Sequence, residues 1–471
     1  MNPSDGNDVR LPRDPAVTVG MVSLGCAKNL VDGEVMLGHL EARGIRVTAD
    51  AEDADVDVVN TCGFVIDAKQ ESIDSILEIV EAKKAGRVKR LVVSGCMAQA
   101  YAEELKREIP EIDAFIGLDE LEQIAAAVRG ELANHIPDQH GAVRLYDHAN
   151  PRMLSTNGYA YLKVAEGCGN PCAFCHIPAM RGGFRSRPLG DLVAEARRLE
   201  AAGVRELVLI AQDTTRYGED LGIADGLRTL VSALLNETEI PWVRFLYAYP
   251  STLDEKLFDL MAANDRFVSY LDIPLQHANR KVLKAMKRGG DAASYSRLIE
   301  RARATVPDIA LRTTFIVGFP GEGESEFAEL NDFIEEIGFD HLGVFSYSWQ
   351  EENPGAELGD PVPEEVKAER RDRLLQAQQP ISLMKNQSLV GRILPAIVAG
   401  PLAEMELLTE GRLKRQAPEI DGRLLINDGV AAPGALIEVE ITEAHPYDVV
   451  GRLVRVIEEP APAPRLLPVI G

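Results

Sequence analysis

Three of the six cysteines fall within eight residues, Cys168, Cys172 and Cys175 in EGCGNPCAFCHIP, directly after the apolar run YAYLKVAE. A C-x3-C-x2-C loop at the end of a strand can wrap one face of a small inorganic cluster with three thiolates. A four-iron cluster has four metal corners and ordinarily takes four ligands. Three cysteines therefore leave one iron open to another molecule. A structural zinc site closes four protein ligands, often as two C-x2–4-C pairs, and no second pair follows here. His176 adjoins Cys175 and is poorly placed to close the same site.

The other three cysteines are Cys26 in SLGCAKN, Cys62 in NTCGFVIDA and Cys96 in SGCMAQA. A lone cysteine is usually a small core residue. These three share one situation, the C-terminal end of a strand at the turn into a helix. In an open parallel sheet such ends line one edge, where ligands bind. If the three strands are neighbours, about 4.8 Å apart, the thiols converge and can hold a second cluster. Gly25, Gly63 and Gly95 each flank a cysteine and let the backbone come close.

Strand–helix alternation sets the rest. Residues 16–150 read as AVTVGMVSL, DVDVVN, RLVVSG and AFIG, each followed by a helical pattern, which predicts a mostly parallel sheet covered on both faces. A second series follows from about 158, with strands YAYLKVAE, ELVLIAQD, WVRFLYAYP, SYLDIPLQ, IALRTTFIVG and HLGVFSYS. Six strand–helix repeats are too few for a closed eight-fold barrel, so an open partial (β/α)6 barrel is expected. Residues 362–386 read as a charged connector helix. Beyond 387, short strands with regular turns predict a small antiparallel β-barrel of five strands. The expected divisions are a disordered leader 1–15, an N-terminal domain 16–150, a barrel core with its connector 151–386, a small barrel 387–457 and a Pro-rich tail 458–471.

With 50 basic and 74 acidic residues, net −24, the chain lacks the overall basic footprint of a nucleic-acid binder and suits a basic protein partner. It has neither a run of about 18 apolar residues nor, in MNPSDGNDVRLPRDP, the apolar stretch of a signal peptide. No membrane association and a cytoplasmic location are expected. There the cysteines serve metal binding or catalysis rather than disulfides.

SLGCAKNLVDGEVMLG, VNTCGFVIDAKQES, SGCMAQ, KVAEGCGNPCAFCHIPAMRG, FRSRP, LIAQDTTRYG, DIPLQHANRKVLKAMKRG and TTFIVGFPGE together resemble the methylthiotransferase family of radical S-adenosylmethionine (SAM) enzymes over about 440 residues. The resemblance implies an N-terminal methylthiotransferase domain, a radical SAM core and a C-terminal TRAM module. It implies two 4Fe-4S clusters, one on Cys26, Cys62 and Cys96 and one, binding SAM, on Cys168, Cys172 and Cys175. No side chain is expected as a catalytic acid or base. Phe174, Gln212, Asp213, Gly318 and Pro320 are the candidate SAM contacts. Arg185 and Arg187 in FRSRP are candidates to meet a carboxylate, or else to pair with surface acids.

Two branches of the family compete. One modifies an adenosine of transfer RNA; the other modifies the β-carbon of an aspartate in ribosomal protein S-12, a basic protein of the small ribosomal subunit. AQDTTRYG, GRLKRQAPEIDG and the FRSRP context resemble the second. Residues 388–456 carry seven basic and ten acidic residues, net −3, where an RNA-binding barrel offers a basic groove. S-12 is therefore the expected partner, with an electron donor and a sulfide source, and nucleic acid is not the expected substrate. Gly169-Asn170-Pro171 departs from the family's loop but leaves the cysteine spacing intact.

Overall fold

The computed structural model describes residues 17–49, 53–138, 145–402 and 405–460. The leader 1–15 and residues 461–471 of the tail lie outside them. The chain divides into two units, the first containing the residues up to Ser155 together with Ala179–Arg181, the second Thr156–Pro178 and Gly182–Pro464.

In the first unit, β1 (Thr18–Ser23), β2 (Arg46–Val47), β3 (Val56–Thr61), β4 (Arg90–Ser94) and β5 (Ala114–Ile116) form a parallel sheet in the order β2-β1-β3-β4-β5. Alternation along the strands sorts the core. Val58 and Val92 face α1 (Ala27–Ala42) and α4 (Ile124–Arg129). Val59, Leu91 and Val93 face α2 (Ile66–Lys84) and α3 (Gly95–Glu108). The two-residue edge strand β2 was not expected from the sequence; it is too short to show a period of two.

The second unit begins with β6 (Tyr159–Lys163). The run YAYLKVAE does not continue as one strand. After Val164 the chain forms β7 (Ala165–Glu166), which pairs antiparallel with β8 (Arg185–Ser186), so part of FRSRP closes the base of the cysteine loop. Between them lies the short helix α5 (Ile177–Arg181). With β9 (Glu206–Ile210) and β10 (Trp242–Phe245), β6 makes a parallel sheet in the order β10-β9-β6; β11 (Tyr270–Asp272), β12 (Ala310–Val317) and β13 (His341–Ser346) make a second. Backbone bonds Val243 N to Arg266 O (2.7 Å) and Ala248 N to Asp272 O (3.0 Å) continue the arc across the gap. The six strands are the expected open array, flanked by α6 (Leu189–Ala201), α7 (Gly226–Glu237), α8 (Lys256–Ala263), α9 (Arg280–Ala285), α10 (Ala292–Thr305) and α11 (Glu324–Ile337). The connector is α12 (Glu364–Gln387).

The small C-terminal module is a closed five-stranded barrel of β14 (Ile393–Leu402), β15 (Met405–Leu413), β16 (Leu424–Asp428), β17 (Leu436–Ala444) and β18 (Val449–Glu458). Four of its pairings are antiparallel and β16–β18 is parallel. An odd number of strands in a ring cannot alternate direction all the way round, so one parallel pair is forced. Among the described residues no helix is long and apolar enough to cross a membrane.

The loop between β15 and β16 docks this module on the N-terminal ends of the arc's strands. Glu419 accepts from the hydroxyls of Tyr159 (3.0 Å) and Tyr161 (2.9 Å). Asp421 accepts from Tyr270 (2.6 Å) and pairs with Arg312 (3.4 Å). Arg412 pairs with Glu206, which also holds Arg244 Nε at 2.7 Å. Burial pushes the Glu206 carboxyl up, but Arg244 and Arg412 together hold it below its ordinary range. Removing one partner of a buried ion cluster strands the others, at a cost of about 3–5 kcal/mol. Glu206→Gln is therefore expected to lower the urea midpoint of the second unit sharply. Replacing Glu206, Arg244 and Arg412 together by Leu and Met is expected to cost far less, which fluorescence-monitored unfolding of both variants checks.

Candidate active site

In the first unit, Ser23, Asn60 and Ser94 stand in register across β1, β3 and β4. Cys26 follows β1 as the residue preceding α1, Cys62 follows β3, and Cys96 is the second residue of α3, which starts directly after β4. The three strands are neighbours, so the thiols meet at one sheet edge, where Cys96 and Cys26 both act on Cys62 and Cys26 acts on Cys96. Two positive-φ glycines allow the approach. A Cβ on Gly25 (φ +89°) would lie 2.6 Å from Cys62 Cβ and 2.9 Å from its Sγ; one on Gly95 (φ +89°) would lie 2.4 Å from the Thr61 carbonyl oxygen.

Buried amides set these turns. Asn29 Nδ2 donates to the carbonyls of Leu24 (3.0 Å) and Thr61 (2.7 Å). Asn60 Nδ2 donates to Ser23 Oγ (2.9 Å) and the Asn29 carbonyl (2.7 Å). Ser72 Oγ accepts from Cys62 N at 3.0 Å. Neither Asn29 nor Asn60 stood out in the sequence, because a buried amide gives no periodic signal.

In the second unit, Cys168, Cys172 and Cys175 lie on the loop after β6 and β7, at the C-terminal mouth of the arc, where barrel folds place their chemistry. Four residues pin the loop. Asn170, in the departure from the family pattern, donates to Asp213 at 2.8 Å, and Thr215 donates to the same carboxylate at 2.6 Å. Ala173 N donates to the Met286 carbonyl (3.0 Å), and Gly355 N donates to the Ala173 carbonyl (2.9 Å). Phe174 packs against a buried cluster of Ala173, Met286, Phe319 and Tyr347. His176 engages Asn353 through Nδ1 at 3.0 Å.

The other sequence candidates have identifiable neighbours. Gln212 donates to Glu166 Oε1 at 2.7 Å. Asp213 is buried, and burial raises its pKa against the pull of Thr215 and Asn170. Gly318 accepts no side chain: its φ is +75° and an added Cβ would sit 2.4 Å from Lys367 Cγ. Pro320 is buried beside it. Arg187 takes the second of its two expected roles, though in the interior: it is fully buried and pairs with Asp191 (2.6 Å) and Glu195 (2.6 Å). Arg185 donates to the Gly183 carbonyl at 3.1 Å. Arg288, which the sequence did not single out, lies with Nη1 3.7 Å from Cys172 Sγ and its guanidinium 4.1 Å from the Tyr249 ring centroid.

Among the described residues no three His, Cys, Asp or Glu side chains lie close enough to hold a single metal ion. Three soft sulfur donors in each triad fit an iron–sulfur cluster.

The open arc with a three-cysteine loop at its C-terminal mouth defines the radical SAM class, and the sequence model of the Radical SAM superfamily matches residues 162–334. Residues 18–117 match Uncharacterized protein family UPF0004 and residues 390–454 the TRAM domain. The ribosomal protein uS12 methylthiotransferase RimO of Anaeromyxobacter sp. (strain K) is 48% identical over 456 residues, covering 96% of each chain. That of Solibacter usitatus is 48% identical over 451 residues, 94% of this chain and 96% of its own. The chain belongs to the RimO family of ribosomal protein uS12 methylthiotransferases. Among solved structures, the radical SAM methyltransferase TsrM of Kitasatospora setae shares the fold at a TM-score of 0.51 and 16% identity, over 72% of this chain and 75% of its own.

Thiolates, not thiols, attack electrophiles. Burial, with Cys96 and Cys26 nearby, pushes the Cys62 thiol up to about 12, while Cys26 is exposed. Burial beside Cys172 and Cys168 likewise pushes Cys175 up to about 12. In metal-free protein at neutral pH, iodoacetamide is expected to label Cys26 well before Cys62, and Cys62 is expected to speed up as pH rises toward its pKa. Timed labelling with peptide mass spectrometry checks both the order and the sign.

Proposed function

We propose that the protein transfers a methylthio group to the β-carbon of an aspartate in ribosomal protein uS12, using SAM and two 4Fe-4S clusters. The observation that carries this reading is the second set of converging thiols. A radical SAM site needs one triad, Cys168, Cys172 and Cys175, whereas Cys26, Cys62 and Cys96 converge on neighbouring strand ends of another unit. Each triad would hold one cluster through three thiolates and leave one iron corner unligated by protein.

When bound, these groups supply one-electron reduction, hydrogen-atom abstraction and sulfur delivery, the chemistry required by an unactivated C–H bond that no side-chain base can deprotonate at neutral pH. The chain's own part is to bind, orient and shield. Asp213 fixes the cysteine loop through Asn170. Phe174, with Phe319 and Tyr347 behind it, presents an apolar wall that excludes solvent hydrogen donors. Gln212 and Asp213, at the end of β9, and Gly318 and Pro320, after β12, are the proposed SAM contacts. The electron and the sulfide come from outside the chain, and a ribosomal substrate places the reaction in the cytoplasm.

Transfer to a transfer-RNA adenosine is the rival reading. It is disfavoured by the high-coverage RimO relatives and by the acidic balance of residues 388–456. Mass spectrometry of uS12 and of tRNA from a deletion strain separates the two; loss of the modification from tRNA alone would overturn the reading.

Anaerobically reconstituted protein is expected to hold about eight irons. Cys172→Ala should abolish SAM cleavage. Cys62→Ala should retain SAM cleavage with about half the iron and lose sulfur insertion. Iron analysis and product assay check both, and sulfur insertion by Cys62→Ala would refute the donor-cluster assignment.

A further inference from the structure

Arg181 is nearly fully buried, 3% exposed, within the first unit. Its Nη2 donates to Asn29 Oδ1 at 2.9 Å and to Asp32 Oδ2 at 3.1 Å, and its Nε donates to Cys96 Sγ at 3.2 Å. Asn29 is itself held in one orientation, because its Nδ2 already donates to two carbonyls. Asp32 is as buried as its partner. A guanidinium is costly to bury unless paired and hydrogen-bonded, and it does not lose its proton in proteins. Asp32 balances the charge and Asn29 sets the plane, which leaves Nε–H directed at sulfur. No arrangement of an ion pair alone requires that direction.

We infer that Arg181 is a positioning residue for the cluster on Cys26, Cys62 and Cys96: its Nε–H donates to the Cys96 thiolate, fixes that ligand and raises the cluster's reduction potential. The inference rests on the cluster assignment proposed above. Hydrogen bonds to cluster sulfurs help set potential, and groups behind the ligands fix ligand orientation. The second triad has a looser counterpart. Arg288 Nη1 stands 3.7 Å from Cys172 Sγ while its Nη2 is committed to the Pro274 carbonyl at 2.8 Å.

The test is an EPR-monitored redox titration of full-length, anaerobically reconstituted protein carrying Arg181→Met or Arg181→Lys. A Cys172→Ala background reads the first cluster alone, and a Cys62→Ala background reads the second. Arg181→Met is expected to move the first cluster's midpoint to more negative potential and leave the second unchanged. Lysine keeps the charge but lacks the rigid fork, so Arg181→Lys is expected to shift the same midpoint in the same direction by less. Selective loss of iron from the first site in Arg181→Met also supports the inference; where the methionine variant fails to fold, the lysine variant decides. Full loading with both midpoints unmoved, or equal loss of both clusters, overturns it. If the parent with Arg181 intact loads no cluster in the Cys172→Ala background, the cluster assignment falls rather than the role of Arg181.

Discussion

Thiols that share a cluster must be presented by backbone that holds still when the metal is absent, because each buried sulfur otherwise takes a proton and relaxes. The two triads meet that constraint by different means. In the first unit the sheet does it: Ser23, Asn60 and Ser94 are locked side by side by the ladder, and the cysteines come two or three residues later. Ladder spacing, about 4.8 Å between strands, sets the spread of the sulfurs. In the second unit all three thiols ride on one loop, and rigidity is imported through the Asn170–Asp213 bond, the backbone bonds at Ala173, and the β7–β8 clamp.

The opposite end of the arc is governed by charge. Tyr159, Glu206, Tyr270 and His341 lie at the starts of their strands, and the end of β15 meets them with Arg412 and the β15–β16 loop with Arg415, Glu419 and Asp421; His341 Nε2 stands 2.7 Å from the Arg415 carbonyl. Several charges counted in the module's net balance are therefore spent inside the protein. The buried Asp421 carboxylate and the more exposed Glu419 both hold the module to the barrel. An acidic module and an acidic binding face are thus different statements, and the motif that marked the branch in the sequence has a structural task of its own.

Much of the fold was legible because strand–helix alternation is a strong signal. The parallel sheet, the six-stranded arc and the five-stranded small barrel follow from apolar runs punctuated by glycine and proline. The strands missed, β2, β7 and β8, are two residues each, and the helix missed, α5, is five; none is long enough to show a period. The six cysteines were legible by a strand-end argument, and the neighbour relation of β1, β3 and β4 makes that argument physical. Asn29, Asn60, Arg181 and Arg288 were not legible as site residues. Their significance lies in contacts between segments far apart in the chain, and an arginine in a helical pattern looks the same whether it faces water or sulfur. Arg187 shows the converse: a motif arginine marked as a candidate for a ligand is consumed by Asp191 and Glu195.

The two means of presentation differ in what they tolerate. A loop triad depends on the spacing of its cysteines and on whatever pins it, so residues between ligands can change if the pins survive. Gly169-Asn170-Pro171 is such a change, and it brings its own pin in Asn170. A sheet-edge triad has no spacing to preserve, since its ligands come from three separate turns. It depends instead on the buried amides that tie one turn to the next, Asn60 to Ser23 and to the Asn29 carbonyl, Asn29 to Leu24 and Thr61. The Asn60–Ser23, Asn60–Asn29 and Asn29–Thr61 bonds join segments more than thirty residues apart, so losing one leaves a buried polar group unsatisfied, at about 1–3 kcal/mol, and loosens a turn that carries a thiol. The first triad is thus fragile at residues that are not ligands, and Arg181 belongs to that same web.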